Sequence, residues 1–277
     1  MTAAPTTRPI PRGAAQRAES KPPARPGVAF GQIGAAQGRR ISLYGCGGSG
    51  KTSLAGMAPG PTAFFDLDES LPILKGQLPA GLDLRVVSGA GTWQGIRDAL
   101  HAPGWDDVRT LCIDSGTKAE ELACEWIVAN IPNEKGNKVT KISEYPYGAG
   151  YRHLYDEFLK LLCDLDQHVR AGRNVVIVCH ESTEKHPNPA GEDWLRAEPR
   201  LQHSPKSSIR ERMRDWCDGL YYIAYDLDVE NGKGKGGGTR TIYPCELPFC
   251  MAKSRTMTEP VALAKHDTTI WPRLLGL

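Results

Sequence analysis

Eight consecutive residues, Gly45-Cys46-Gly47-Gly48-Ser49-Gly50-Lys51-Thr52, constrain this chain more than any other feature. They match G-x-x-x-x-G-K-[ST] and follow the short apolar run Ile41-Ser-Leu-Tyr44. The glycines let successive N–H groups turn inward into a nest for phosphate oxygens, and a following helix adds its positive end. Lys51 then reaches the β- and γ-phosphates, and the Thr52 hydroxyl ligates magnesium. Such chemistry needs a strand before the loop and a helix after it, so a strand over 41–44 and a helix over 52–57 are predicted. The expected ligands are ATP, or another nucleoside triphosphate, and Mg2+.

A site of this kind also needs a carboxylate at the end of a buried strand, holding the magnesium through water. Thr110-Leu-Cys-Ile-Asp114-Ser115 supplies one, which makes Asp114 the second metal-site residue beside Thr52.

The rest of the pattern alternates strand and helix. Residues 62–67, 84–88 and 108–114 read as strands, and 93–101 and 118–130 as helices. Tyr151, Leu154, Tyr155, Phe158, Leu161, Leu162, Leu165 and Val169 recur at i, i+3, i+4, i+7 and predict a long amphipathic helix. Residues 174–179, Asn-Val-Val-Ile-Val-Cys, form a continuous apolar run, as a strand covered on both faces should. Together these predict an α/β fold with a mainly parallel sheet flanked by helices. A basic helix over 207–216 leads to a C-terminal β-hairpin whose tip is expected at 231–238, with a return strand over 239–245.

Net charge is +2, but its distribution is uneven. Residues 1–40 hold seven basic residues and one acid, leaving 27 basic against 31 acidic residues beyond them. Residues 1–38 also contain six prolines and no apolar periodicity, so a disordered basic tail (1–38) before a single domain (39–277) is expected. Residues 1–30 lack an apolar leader-like run and no stretch is long enough to span a membrane. The eight cysteines include no C-x-x-C pair, which argues for reduced thiols rather than zinc or disulfides. A reducing, cytoplasmic setting with no membrane partner is the expectation.

Ala63-Phe-Phe-Asp66-Leu-Asp68-Glu69, Leu111-Cys-Ile-Asp114-Ser115 and Val175-Val-Ile-Val-Cys179-His180, taken with the phosphate loop, resemble the RecA-like P-loop NTPase core. The resemblance is closest to the AAA-type ATP-binding proteins of bacteriophages, including RecA-like single-strand annealing ATPases, and covers roughly 40–260. It implies an ATPase of phage type acting in the bacterial host's cytoplasm. It assigns Asp68, or its neighbour Glu69, to orienting the attacking water, with N-capping of the next turn as the alternative for Asp68. His180 becomes a sensor of the γ-phosphate. Ala252-Lys253-Ser254-Arg255 resembles the element by which one subunit reaches its neighbour's ATP, so Lys253 and Arg255 imply a homo-oligomeric ring or filament.

The same resemblance implies two loops that hold single-stranded DNA. The first carries Lys135, Lys138 and Lys141 and ends in Tyr145 and Tyr147. The second spans 181–203, with Lys185, Trp194, Arg196 and Arg200. Lysines to follow phosphates and aromatics to stack bases are what sequence-independent binding requires. Strand annealing or recombination, with a phage single-strand-binding protein as a further partner, is the role the resemblance implies. Two alternatives stay open: a nucleotide kinase using the Arg-rich 206–214 segment as a lid, and an ATP-switched adaptor that loads a replication or packaging partner.

Overall fold

The apolar runs become the middle of one sheet. The computed structural model describes Met1, Phe30, Gly31 and residues 38–230 and 233–277. It opens with β1 (Arg40–Gly45), α1 (Lys51–Gly56), β2 (Thr62–Asp66), α2 (Leu71–Lys75) and β3 (Leu84–Val86). Then come α3 (Trp93–His101), β4 (Thr110–Asp114), α4 (Gly116–Asn130) and α5 (Ala149–Arg170). β5 (Asn174–His186), β6 (Trp194–Pro199), α6 (Ile209–Trp216), β7 (Gly219–Glu230) and β8 (Lys233–Tyr243) follow. β9 (Lys253–Ser254), β10 (Val261–Ala262) and α7 (Ile270–Leu275) close the chain. The tail expected over 1–38 lies, save Met1, Phe30, Gly31 and Gly38, outside the described residues.

The main sheet runs β10-β8-β7-β1-β5-β4-β2-β3. From β7 to β3 every neighbour is parallel, whereas β8 and β10 are antiparallel additions at one edge. This is the RecA-like P-loop arrangement. Its consequence for the site is that β5 lies between β1 and β4, so the ends of three different strands meet at one rim.

Each face of the sheet is covered. On one side α3, α4, α5 and α6 bury Trp93, Ile127, Phe158, Leu161, Leu165 and Met213. On the other, α1 and α7 pack Leu54, Trp271 and Leu274 over Phe64, Val178 and Tyr221. Burying one such side chain contributes about 1.5–3 kcal/mol. The predicted stripe of α5 is buried from Leu154 to Val169, but Tyr151, at its first turn, is exposed. Ser115, as N-cap of α4, accepts from Lys118 N at 3.1 Å, and Thr92 and Ser208 cap α3 and α6 in the same way.

Two local expectations are corrected. The glycine-rich run 233–238 is not the hairpin tip. It belongs to β8, with Leu227 opposite Gly236 and Asp228 opposite Lys235, and 231–232 lie outside the described residues. Glycine weakens a strand, yet backbone pairing still satisfies its polar groups. The segment after His180 is likewise not an open loop: β5 continues to His186 and pairs antiparallel with β6, from Glu181 opposite Pro199 to His186 opposite Trp194.

Glu120 on α4 accepts from Gln202 N at 2.8 Å, tying the segment after β6 to the helix. Burial pushes its carboxyl up from 4.5 to about 7. A carboxyl raised in the fold favours the protonated state, so the stability it contributes is lost as pH rises from about 4.5 to 7. Glu120→Gln keeps the acceptor without the charge. Its melting temperature should exceed wild type at pH 8 by about 3–6 °C, with the gap closing toward pH 4, in thermal denaturation across pH.

Candidate functional site

The loop after β1 holds its lysine inward. Lys51 Nζ donates to Gly45 O at 2.9 Å and Cys46 O at 2.8 Å, and burial lowers its pKa. The first turn of α1 leaves N–H groups without intrahelical partners, as any helix start does, and they adjoin this ammonium. Gly45 has no room for a side chain, because a Cβ there would overlap Ile223 O of β7. The loop, lysine and helix start are thus one preformed cationic cradle.

Asp114 closes β4 and is buried. One of its oxygens, Oδ2, has no hydrogen-bond partner. Its carboxyl is pushed up to about 6, chiefly by burial, while a bond from Thr52 works the other way. An orphaned carboxylate oxygen beside a threonine hydroxyl suits a hard divalent cation. Among the described residues no cluster of three His, Cys, Asp or Glu side chains is placed to hold a metal. Magnesium typically takes one or two protein ligands and completes its shell with phosphates and water. Thr52 and Asp114 are the residues that would hold it.

β2 ends beside β4 in register, Asp66 opposite Asp114. The capping alternative belongs to Asp66, not Asp68: Asp66 accepts from Ser70 N at 3.0 Å and Leu71 N at 3.1 Å at the start of α2. Asp68 instead faces His180, whose Nε2 lies 3.1 Å from its Oδ2. That bond, helped by one from Ser115, holds the Asp68 carboxyl below the usual range. His180 sits opposite Gly45, the first residue of the loop, in the β1–β5 ladder. Glu69 is exposed with φ of 53°. Lys51, Thr52, Asp114, Asp68 and His180 therefore converge on one rim, where a buried ammonium, a hydroxyl beside a buried carboxyl and a carboxylate–imidazole pair come together.

Linear reading predicted the C-terminal hairpin but missed its contacts with the loop. Tyr225 of β7 donates to Gly48 O at 2.7 Å, and its cross-strand partner Arg240 of β8 donates to Ser49 O at 3.1 Å. Glu181, next to His180, also faces the loop. It bonds Tyr222, feels the Lys51 charge and is pushed up by burial. Nothing in the local sequence marks these residues, since only strand pairing carries them to the loop.

The residues expected at DNA are more scattered. Lys135, Lys138 and Lys141 are exposed on the 131–148 segment, and Tyr147 is fully exposed. Tyr145 is not available for stacking: it is buried, and its hydroxyl donates to Ile131 O at 2.5 Å, pinning the segment to α4. Lys185 pairs with Asp193 at 2.9 Å, and Trp194 stacks on His186. Arg196 is taken up by Glu198 and Glu246, so it is a structural cation here rather than a free one. Arg200 is exposed, and its backbone N donates to His180 O at 2.8 Å.

In the Arg-rich 206–214 segment, Arg210 is buried against Glu198, and Arg214 pairs with Glu211. Lys253 Nζ donates to Arg214 O and Asp215 O, and Arg255 lies 3.3 Å from Asp218. Lys253 opens β9 and Arg255 follows it, and β9 pairs with β7 at Gly219 and Leu220. Gly219 lies opposite Ile41, at the far end of β1 from the loop. Lys253 and Arg255 are therefore not brought to this chain's own loop.

A family model described as an AAA domain matches residues 37–256. No curated protein matches the sequence. Among solved structures, a KaiC-like protein from the hyperthermophilic archaeon Pyrococcus horikoshii is similar at 14% identity, covering 82% of this chain and 85% of that one, with a TM-score of 0.42. Among the described residues no helix is long and apolar enough to cross a membrane.

Proposed function

The chain belongs to the AAA domain family, whose model matches 37–256, and from that premise we propose a magnesium-dependent ATPase that binds single-stranded DNA and promotes its annealing or recombination. The observation that carries the ATPase reading is the meeting of Lys51, Thr52, Asp114, Asp68 and His180 at one rim. Lys51 and the loop N–H groups bind the phosphate chain and offset charge that grows on it during transfer. Asp68 orients a water in line with the γ-phosphorus. As the new P–O bond forms, the bond to the β,γ-bridging oxygen breaks, releasing ADP and phosphate, and the water's proton passes to a basic acceptor. Magnesium, when bound, neutralises phosphate charge and is held by Thr52 and Asp114.

Coupling to DNA is supported by a short covalent and hydrogen-bonded path. Arg200, exposed, bonds His180 O through its backbone, and Thr117 joins both: its hydroxyl accepts from His180 N at 3.1 Å and donates to Arg200 O at 3.2 Å. A γ-phosphate sensed at His180 would thus alter the surface at Arg200. Because Lys253 and Arg255 lie roughly 13 Å along β1 from their own loop, at about 3.3 Å per residue, any contact they make with ATP is with another copy's. That is the basis for proposing a ring or filament.

Phosphate release measured with and without single-stranded DNA across a salt series tests this. DNA should stimulate turnover several-fold, and the stimulation should fall steeply with salt. Replacing Lys135, Lys138 and Lys141 together by Ala should flatten that dependence and spare DNA-free hydrolysis. Turnover indifferent to DNA at low salt would sink the DNA role and leave the adaptor reading. The kinase reading lacks its lid, because none of Lys206, Arg210, Arg212 and Arg214 borders the cavity at the loop.

A further inference from the structure

We propose that Arg240 is a nucleotide-binding arginine supplied within the same chain by the β7–β8 hairpin, and that it contacts the diphosphate at the nucleoside end of the site. The inference rests on the nucleotide reading of the loop and extends it to a residue outside every motif. Its guanidinium lies against the loop: Nη1 donates to Ser49 O at 3.1 Å, and a Cβ on Gly50 would overlap it. Gly50 also has φ of 90°, a backbone conformation that favours glycine there. The hairpin is held there by the Tyr225 hydroxyl on Gly48 O, and Leu263 N donates to Arg240 O at 2.7 Å, fastening β8 to the 263–266 turn.

Arg240 also borders a cavity of about 430 Å³ that begins at Gly48, Gly50 and Thr52 and ends at the turn bearing Lys265 and His266. Neither Asp114, Asp68 nor His180 borders it. The terminal phosphate belongs with those hydrolytic groups, so the remainder of the nucleotide must leave the loop on the cavity side, past Arg240. A guanidinium has five N–H donors in a planar fork, and a single neutral carbonyl engages one of them. An anionic diphosphate is the stronger acceptor for the rest. The far wall, with Leu54, Met57, Leu74 and Leu263, offers an apolar surface for a base.

Titration of ADP into the full chain decides the matter. Arg240→Ala should weaken ADP binding about 10- to 100-fold, and ATP binding by the same factor, as expected for a hydrogen bond to a charged group. Arg240→Lys should recover part of the loss. Arg240→Gln keeps a neutral donor for Ser49 O and should not recover it, and it carries the test if the alanine variant does not fold. Wild-type ADP affinity in Arg240→Ala, or its full restoration in Arg240→Gln, would overturn the inference while leaving the nucleotide site intact. A wild-type chain that does not bind ADP overturns both.

Discussion

Lys51→Ala should abolish ATP turnover, lowering the rate at least about 10³-fold in a phosphate-release assay. The ammonium is buried with two backbone carbonyls as its close partners, Gly45 O and Cys46 O. Carbonyls do not cancel a full positive charge, and burial already lowers the Lys51 pKa, with the Asp114 and Glu181 charges working against it. Among the described residues the ammonium hydrogen-bonds neutral oxygens only, so a phosphate chain would supply its direct anionic partner, and the attraction grows as charge develops toward the transition state. The substitution acts twice, because it also leaves the two carbonyls without their donor and loosens the loop. Lys51→Arg is the informative companion: it keeps the charge but brings a planar fork too wide for this enclosure, and it too should lose most turnover. More than a tenth of wild-type turnover in Lys51→Ala would show that hydrolysis occurs elsewhere.

The second large effect belongs to the water-orienting acid. Asp68→Asn should lower kcat about 10²- to 10⁴-fold, the span typical of a lost general base, with ADP affinity kept near wild type. Glu69→Gln should change kcat by less than about two-fold. The geometry separates two acids that the sequence could not rank. Both are exposed, but Asp68 is joined to His180 across 3.1 Å and to Ser115, both at the rim, and Glu69 follows it in the turn with φ of 53°. His180 fixes where the Asp68 carboxylate points. His180→Ala should then reduce kcat less than Asp68→Asn does. A glutamine substitution that proved as damaging at Glu69 as asparagine at Asp68 would reverse the assignment.

These expectations differ in how early they were available. The phosphate loop is legible because its chemistry depends on backbone conformation over eight contiguous residues, and glycine spacing encodes that conformation directly. Asp114 is legible for a related reason: a run of buried apolar residues ending in a carboxylate can do little else at a parallel strand's C-terminal end. His180 came only through the resemblance to RecA-like ATPases, which implies a γ-phosphate sensor at the end of that strand. Tyr145 shows the opposite case. Its neighbourhood of lysines and glycines reads as a solvent-exposed loop, yet its ring fills a gap against α4 and its hydroxyl caps carbonyls there. Arg196 is similar: it reads as a surface cation, but the buried Glu198 requires positive partners and takes Arg196, Arg210 and His186 together.

The hairpin marks the boundary. Alternation of apolar residues and a glycine-rich stretch are enough to predict two paired strands near the C-terminus. They do not specify which residue faces which, and a shift of one residue would turn Arg240 away from the loop. Register here depends on an irregularity between Tyr225 and Leu227 and on β7 lying against β1, both products of the assembled sheet. The amino-acid sequence by itself determined the phosphate loop, the carboxylate strand and the alternating α/β plan, because each rests on local backbone chemistry or on periodic burial. Only the tertiary structure decided that Asp68 rather than Glu69 meets His180, and that Tyr225 and Arg240 close over the loop. Those are pairings between segments more than a hundred residues apart, and their geometry exists only once the strands are side by side.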